Sequence, residues 1–116
     1  MTATLNSVVL DCPDPKVMAE FYSALTGAAI VDRDDDWWQL AGTPGLAFQL
    51  ATDHRPPTWP VGERPQQLHL DLDVADLDDA EAWVLGLGAR KHEHQPGTTF
   101  RVYLDPAGHP FCLCID

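Results

Sequence analysis

The spacing of apolar positions changes several times along the chain, and each change marks an element. Residues 5–11 form a β-rich run around Leu5, Val8, Val9 and Leu10 that stops at Cys12-Pro13-Asp14-Pro15. Asp14 is placed to cap a helix, because its side chain can accept an unpaired first-turn N–H, and Pro15 suits the first helical position. Val17, Met18, Phe21, Tyr22 and Leu25 then recur at helical spacing until Gly27, a residue suited to a left-handed C-terminal stop. Three short strands are predicted next, at 29–33, 37–41 and 46–51, parted by the turn-forming runs Asp34-Asp35-Asp36 and Gly42-Thr43-Pro44-Gly45. The order is β-α-β-β-β.

Residues 52–65 hold Pro56, Pro57, Pro60 and Pro65 together with Trp59, and read as a linker. The order then repeats. Residues 67–74 alternate polar and apolar, Asp76 caps a helix carrying Ala80, Trp83, Val84 and Leu87, and Gly88 ends it. Trp83, with apolar neighbours, is expected in the core. Strands are predicted at 89–93, 99–104 and 111–115, with turns at Gln95-Pro96-Gly97 and Asp105-Pro106-Ala107-Gly108. A shift of 62 residues carries Leu10 to Leu72, Asp14 to Asp76, Phe21 to Trp83 and Leu25 to Leu87. Self-similarity at half the chain length indicates two copies of one unit: module one at about 5–51 and module two at about 66–116, within one domain. The fold class is α+β.

Period two also assigns faces. In the run 67–74, Leu68, Leu70, Leu72 and Val74 point to the face that a helix must cover, and Gln67, His69, Asp71 and Asp73 point away from it. Phe111, Leu113 and Ile115 alternate with Cys112 and Cys114, and Phe48 and Leu50 alternate with Ala47 and Gln49. Small or polar residues opposite the helix face on several strands fit a curved, cup-like mixed sheet with a partly hydrated interior and helices on its outer face.

Composition narrows the partners. Seven Lys and Arg against eighteen Asp and Glu give a net charge of −11, the reverse of what binding to phosphate needs, so nucleic acid and anionic membrane surfaces are not expected partners. No apolar stretch approaches the roughly 20 residues of a membrane span, and Met1-Thr2-Ala3-Thr4 lacks signal-peptide character. Three cysteines argue against a disulfide framework. Cys112 and Cys114, two apart on a strand, would have Cα atoms roughly 6.6–6.8 Å apart, at the outer limit for a bridge. A reducing, cytoplasmic setting is expected. No Gly-x-Ser-x-Gly elbow, phosphate-binding glycine loop or dinucleotide fingerprint is present.

The paired modules, the opening Val-Val-Leu-Asp-Cys-Pro-Asp-Pro, the central His69-Leu70-Asp71-Leu72 and the closing Asp105-Pro106-Ala107-Gly108-His109-Pro110-Phe111-Cys112-Leu113 resemble the vicinal oxygen chelate superfamily, and most of all its small glyoxalase-like proteins. The resemblance implies a cup in which metal-dependent members hold a divalent ion through His, Glu or Gln, and use it to stabilise charge on substrate oxygens. It also implies a homodimer. Carried over, the four ligand positions fall on Ser7, Gln49, His69 and Cys112, with Ser7 and His69 related by 62 residues and Gln49 and Cys112 by 63. Of these His69 alone is a strong ligand for a hard or borderline ion, Cys112 suits a softer one such as zinc, and no carboxylate remains. No cofactor is therefore expected. A divalent metal stays an alternative, with Asp71 a possible carboxylate beside His69.

Three functions remain open: a small-molecule-binding protein with a degenerate metal site, such as a sequesterer of a drug or metabolite; a metal-independent lyase or isomerase in which His69 is the base and Asp71 orients it; and a metal-dependent glyoxalase or dioxygenase-type enzyme. The candidate ligand-binding residues are Ser7, Gln49, Gln67, Trp38, Trp59, Arg101 and Cys112, the tryptophans as aromatic walls and Arg101 as an anion-attracting group if its strand turns it inward. His92 and His94, on a predicted edge strand, read as exposed, and His109 as a solvated turn residue.

Overall fold

The computed structural model describes residues 1–115, which divide into two compact units, 1–54 and 55–115. The boundary between the units falls inside the proline-rich stretch, between His54 and Arg55.

The first unit runs β1 (Ser7–Cys12), α1 (Pro15–Thr26), β2 (Ile30–Arg33), β3 (Trp37–Leu40) and β4 (Gly45–Leu50). Its sheet has the order β1-β4-β3-β2, with β1 parallel to β4 and the other pairs antiparallel. α1 begins and ends where its capping residues dictate. Asp14 Oδ1 accepts the Val17 N–H at 3.3 Å, and Gly27 takes φ 78° while its N–H donates to Ser23 O. The helix buries Met18, Phe21, Tyr22 and Leu25, and the Tyr22 ring stacks on Phe48 of β4 with centroids 5.5 Å apart.

The second unit repeats the order: β5 (Leu70–Asp73), α2 (Leu77–Leu87), β6 (Arg90–Lys91), β7 (Phe100–Leu104) and β8 (Pro110–Cys114). Its sheet order is β5-β8-β7-β6, again with the first pair parallel. Asp76 Oδ1 caps α2 by accepting the Asp79 N–H at 2.8 Å, and Gly88 closes it at φ 114°. Under this helix Tyr103 and Phe111 stack with centroids 5.7 Å apart, both fully buried, and form the centre of the unit's core with Val84 and Leu113.

Three elements depart from expectation. β5 is four residues long and starts at Leu70, so Gln67 lies ahead of the strand, exposed. β6 stops at Lys91 because the Gln95 side chain takes over the pairing: its Nε2 donates to His92 O and Val102 O, each at 2.8 Å, and its Oε1 accepts the Val102 N–H at 2.9 Å. Trp83 is 45% exposed and not core. The inward face of α2 runs through Ala80 and Val84 and includes Glu81, which reaches Tyr103, so the position that Phe21 fills in α1 falls on the flank of α2.

The turn before β8 is built on a buried carboxylate. Asp105, 1% exposed, accepts the N–H groups of Ala107 at 2.9 Å and His109 at 3.0 Å through Oδ1, closing the β7–β8 hairpin. Asp105→Ala would strand both donors, and urea denaturation is expected to show a loss of about 2 kcal/mol. Asp105→Asn keeps the accepting oxygen and should lose less. Equal losses in the two variants would mean that the amide contacts are not what the turn depends on.

Candidate functional site

In the first unit, parity holds but spacing separates the carried-over positions. Ser7 stands opposite Gly45, and Gln49 opposite Asp11, so the two share a face but lie four pairs apart along the β1–β4 ladder. Trp37 pairs with Gln49 and shares that face, its Nε1 donating to Gln39 Oε1 at 3.4 Å. Trp38 pairs with Phe48 and therefore faces the helix side. There it lies under the Arg33 guanidinium, 5.6 Å from its ring centroid, and flanks a shallow hollow with Asp14 and Asp35. The expectation that Trp38 lines a ligand site on the open sheet face is thus corrected. Trp37, paired with Gln49, is the tryptophan that faces away from the helix.

The second unit contains a pocket of about 200 Å³ on the sheet face away from α2. Alternate residues of two neighbouring strands form its floor: Phe100 and Val102 from β7, Pro110 and Cys112 from β8, with Val102 opposite Cys112. His69, just before β5, and Pro96, from the loop after β6, add to the walls. Trp59 and Gln66 come from the proline-rich segment, which folds back as a closed loop: the Thr58 N–H donates to Arg64 O at 2.6 Å, the Arg64 N–H to Thr58 Oγ1 at 2.9 Å, and Arg64 Nε to Pro56 O at 2.9 Å. The Trp59 ring meets His92 and His94 edge-on, with centroids 5.0 and 5.2 Å away. His94 is exposed, as expected, and His92 half-buried, and both rings touch Trp59.

His69, Asp71 and Cys112 converge at this pocket. The parallel register places Asp71 opposite Cys112, His69 Nε2 lies 3.3 Å from Asp71 Oδ1, and one donor atom from each of the three lies within 4.8 Å of the others. His69 and Asp71 are partly open to solvent, with side chains 43% and 61% exposed. Cys112 is buried, and burial, followed by the neighbouring Asp71 carboxylate, pushes its thiol up to about 12. Held as a thiol, it is a poor nucleophile at neutral pH.

Arg101 points the other way. Lying between Phe100 and Val102 on β7, it faces α2, with Nη2 2.8 Å from Asp78 Oδ1 and Nη1 3.4 Å from Glu81 Oε1. Lys91 Nζ sits 2.9 Å from the same Glu81 oxygen, which also accepts the Tyr103 hydroxyl at 2.9 Å. The Lys91 hydrogen bond holds the Glu81 carboxyl below its ordinary value against the opposing effect of burial, with Tyr103 and Arg101 adding to it. This network fastens α2 to the sheet. The anion-attracting role expected of Arg101 is corrected accordingly. Gln67 is displaced in the same sense: its Nε2 donates to Pro65 O at 3.4 Å, while its neighbour Gln66 enters the pocket. Gln66 has no sequence signal, because it precedes any periodic run.

The metal-dependent relatives hold a hard divalent ion through nitrogen and carboxylate or amide oxygen. The donors here do not fit that ion. Ser7 and Gln49 offer a hydroxyl and a neutral amide four pairs apart, and Cys112 stands where a carboxylate would be needed. The His69, Asp71 and Cys112 grouping is a softer set, of the kind zinc takes, with three protein donors and its carboxylate already in contact with the imidazole.

Comparison with known proteins agrees with this architecture. The glyoxalase-like domain family model matches residues 7–114. The chain belongs to that family. Among solved structures, it is similar to a glyoxalase/bleomycin resistance protein/dioxygenase family enzyme from Burkholderia phytofirmans PsJN, with a TM-score of 0.74 and 17% identity over 96% of this chain and 97% of that one. It is similar also to a glyoxalase-related enzyme from Fulvimarina pelagi, with a TM-score of 0.70 and 19% identity over 99% of this chain and 89% of that one. A lactoylglutathione lyase from Agrobacterium tumefaciens shares the fold at a TM-score of 0.64 and 14% identity, covering 98% of this chain and 94% of that one. No functionally curated protein is recognisably similar in sequence. At these identities the solved structures establish the fold, and the family model places this glyoxalase-like chain in the vicinal oxygen chelate superfamily. Among the described residues, no helix is long and apolar enough to cross a membrane.

Proposed function

We propose that this glyoxalase-like protein binds a small organic molecule in the second-module pocket without help from a metal ion. The observation that carries the reading is the pocket itself: about 200 Å³, walled by Trp59, Phe100, Val102 and prolines, with a few polar groups at its edge. That is the usual make-up of a small-molecule site, in which apolar walls supply affinity and a few polar atoms supply orientation. The donor set supports the degenerate-metal part of the reading, since it lacks the carboxylate-rich cage that a hard cation requires. A homodimer in a reducing cytoplasm is the setting proposed with it, on the resemblance and the odd cysteine count.

A thermal-shift screen of divalent metals, thiols and aromatic metabolites tests the proposal, because any compound that binds the native state raises its melting temperature. Aromatic compounds are expected to raise it, magnesium and manganese to leave it unchanged, and atomic emission on dialysed protein to find substoichiometric divalent metal. A stoichiometric, retained cation would overturn the metal-free reading.

The His69–Asp71 contact favours a second reading, a metal-independent lyase or isomerase. With Nε2 turned to the carboxylate, His69 keeps Nδ1 to take a proton, and Asp71 steadies the imidazolium so formed. His69→Ala separates the two. If turnover of a ligand found in the screen is lost while affinity persists, the enzyme reading holds; altered affinity with no turnover in either form supports binding alone.

A further inference from the structure

We propose that the hollow beside Trp83, at the start of α2, is a docking site for an arginine side chain of a basic partner protein. It lies on the helix side of the second module, away from the pocket, and does not depend on the function proposed for that pocket. The hollow measures about 390 Å³. Val74 and Ala75, ahead of the helix, form its apolar part with Ala80, and Asp76, Asp79 and Trp83 complete it. Spacings of three and four residues put 76, 79, 80 and 83 on one flank of the helix. Trp83 is 45% exposed, so its indole is open to a partner. Both carboxylates also stand without a cation. Among the described residues no Lys or Arg pairs with Asp76 or Asp79, whereas Asp78 between them is held by Arg101.

Module one fills the same combination from within. Asp14, which the 62-residue shift carries to Asp76, flanks a hollow with Trp38. There the chain supplies its own guanidinium: Arg33 lies 5.6 Å from the centre of the Trp38 ring, with Asp34 and Asp35 alongside. The two tryptophans come from different elements, so what recurs is the chemistry, an indole beside a helix-capping aspartate, and only the second hollow lacks its cation. A guanidinium suits it better than an ammonium, being planar, weakly hydrated and able to cover an aromatic face while bonding a carboxylate. Charge selects the source. Two copies at −11 each repel, whereas a basic segment is drawn to the acidic first turn of α2. The hollow is shallow, with Ala75, Asp76, Asp79 and Trp83 all exposed, so a free cation gains little there and a side chain carried by a larger interface gains more.

An NMR titration of the nitrogen-labelled full chain tests the proposal in about 0.15 M salt, where exposed charges more than roughly 8 Å apart are screened. The probes are the acetylated peptide Gly-Arg-Gly-Arg-Gly and its counterpart with citrulline for arginine, which keeps the planar shape and loses the charge. The Trp83 indole N–H and Asp79 amide signals should move with the arginine peptide and stay still with the citrulline one. Trp83→Leu and Asp79→Asn, both at exposed positions, should each weaken binding about threefold, the size of one exposed cation–aromatic contact or ion pair. Circular dichroism confirms that each variant is folded, and either one alone suffices for the comparison. Equal shifts with citrulline, or an affinity unchanged in the folded variants, would overturn the proposal, as would shifts spread evenly over the acidic surface. N-acetylarginine amide binding as tightly as the peptide would give the site to a free cation. A concentration-dependent shift of the Trp83 signal without peptide would give it to a second copy. Either result overturns the partner assignment, and none of these outcomes bears on the pocket.

Discussion

Phe111→Ala is expected to destabilise the protein by about 3–5 kcal/mol, the usual loss for truncating a fully buried aromatic side chain. Phe111 is 0% exposed, and its ring stacks on Tyr103, also 0% exposed, at 5.7 Å. The rings come from adjacent strands of one antiparallel pair, and Phe111 and Tyr103 stand directly opposite each other. Tyr103 cannot collapse into the space, because its hydroxyl is held by Glu81 at 2.9 Å. The cavity therefore stays open, and the penalty falls at the upper end of the range. A fall in melting temperature on the order of 15 °C is the expected readout. Phe111→Leu keeps most of the volume and should cost under about 1.5 kcal/mol. Because Phe111 faces α2 and Cys112 faces the pocket, the leucine variant should retain ligand affinity. A loss below about 1 kcal/mol in Phe111→Ala would show that this stack is not the core of the second module.

Glu81→Gln should lower stability by about 2 kcal/mol near pH 7 and flatten the acid limb of the stability curve. Glu81 gathers Lys91 at 2.9 Å, Arg101 at 3.4 Å and the Tyr103 hydroxyl at 2.9 Å on one oxygen. Its carboxyl is held below the ordinary value of 4.5, chiefly by the Lys91 hydrogen bond. A carboxyl with a depressed folded-state pKa stabilises the protein above its unfolded value, and that contribution is lost as pH falls through the folded one. The wild type should thus lose this increment below about pH 4.5, where Glu81→Gln has none to lose. The alkaline side has the opposite sign. Burial, then the hydrogen bond to Glu81, raises the Tyr103 phenol above its ordinary value of 10.0, so its contribution is complete below that value and declines as pH rises beyond it. Urea denaturation of both proteins across this range measures the two limbs. Parallel acid limbs would mean that the Glu81 charge does not couple to folding.

Both predictions concern the helix face of the second module, and that face was largely legible in the amino-acid order. The alternation of Phe111 and Leu113 with Cys112 and Cys114 put the first pair inward, and the caps at Asp14, Gly27, Asp76 and Gly88 set both helices almost to the residue. These are local quantities. A cap is satisfied within one turn, and strand parity follows from the pleat, so neighbouring residues suffice to specify them. Trp83 shows the limit, since helical spacing says which residues share a face but not which face turns inward. Here Glu81 turns inward, drawn by a tyrosine and two cations from strands ten or more residues further on.

The candidate site divides along the same line. That His69, Asp71 and Cys112 share one face, and that no carboxylate cage is available, follows from residue identity and period two alone. Their convergence does not. The two modules differ in register: Gln49 stands opposite Asp11, whose counterpart under the 62-residue shift is Asp73, yet Cys112 stands opposite Asp71. A two-residue slip preserves parity and is invisible to any reading of periodicity, because the pattern of faces is identical before and after it. Backbone pairing between distant strands settles the register, just as loop closure between Thr58 and Arg64 brings Trp59 and Gln66 to the pocket wall. The chain's order thus determined its elements and the chemistry available to it. Tertiary contacts decided which of those groups meet, since hydrogen bonds between remote segments have no signature in the residues between them.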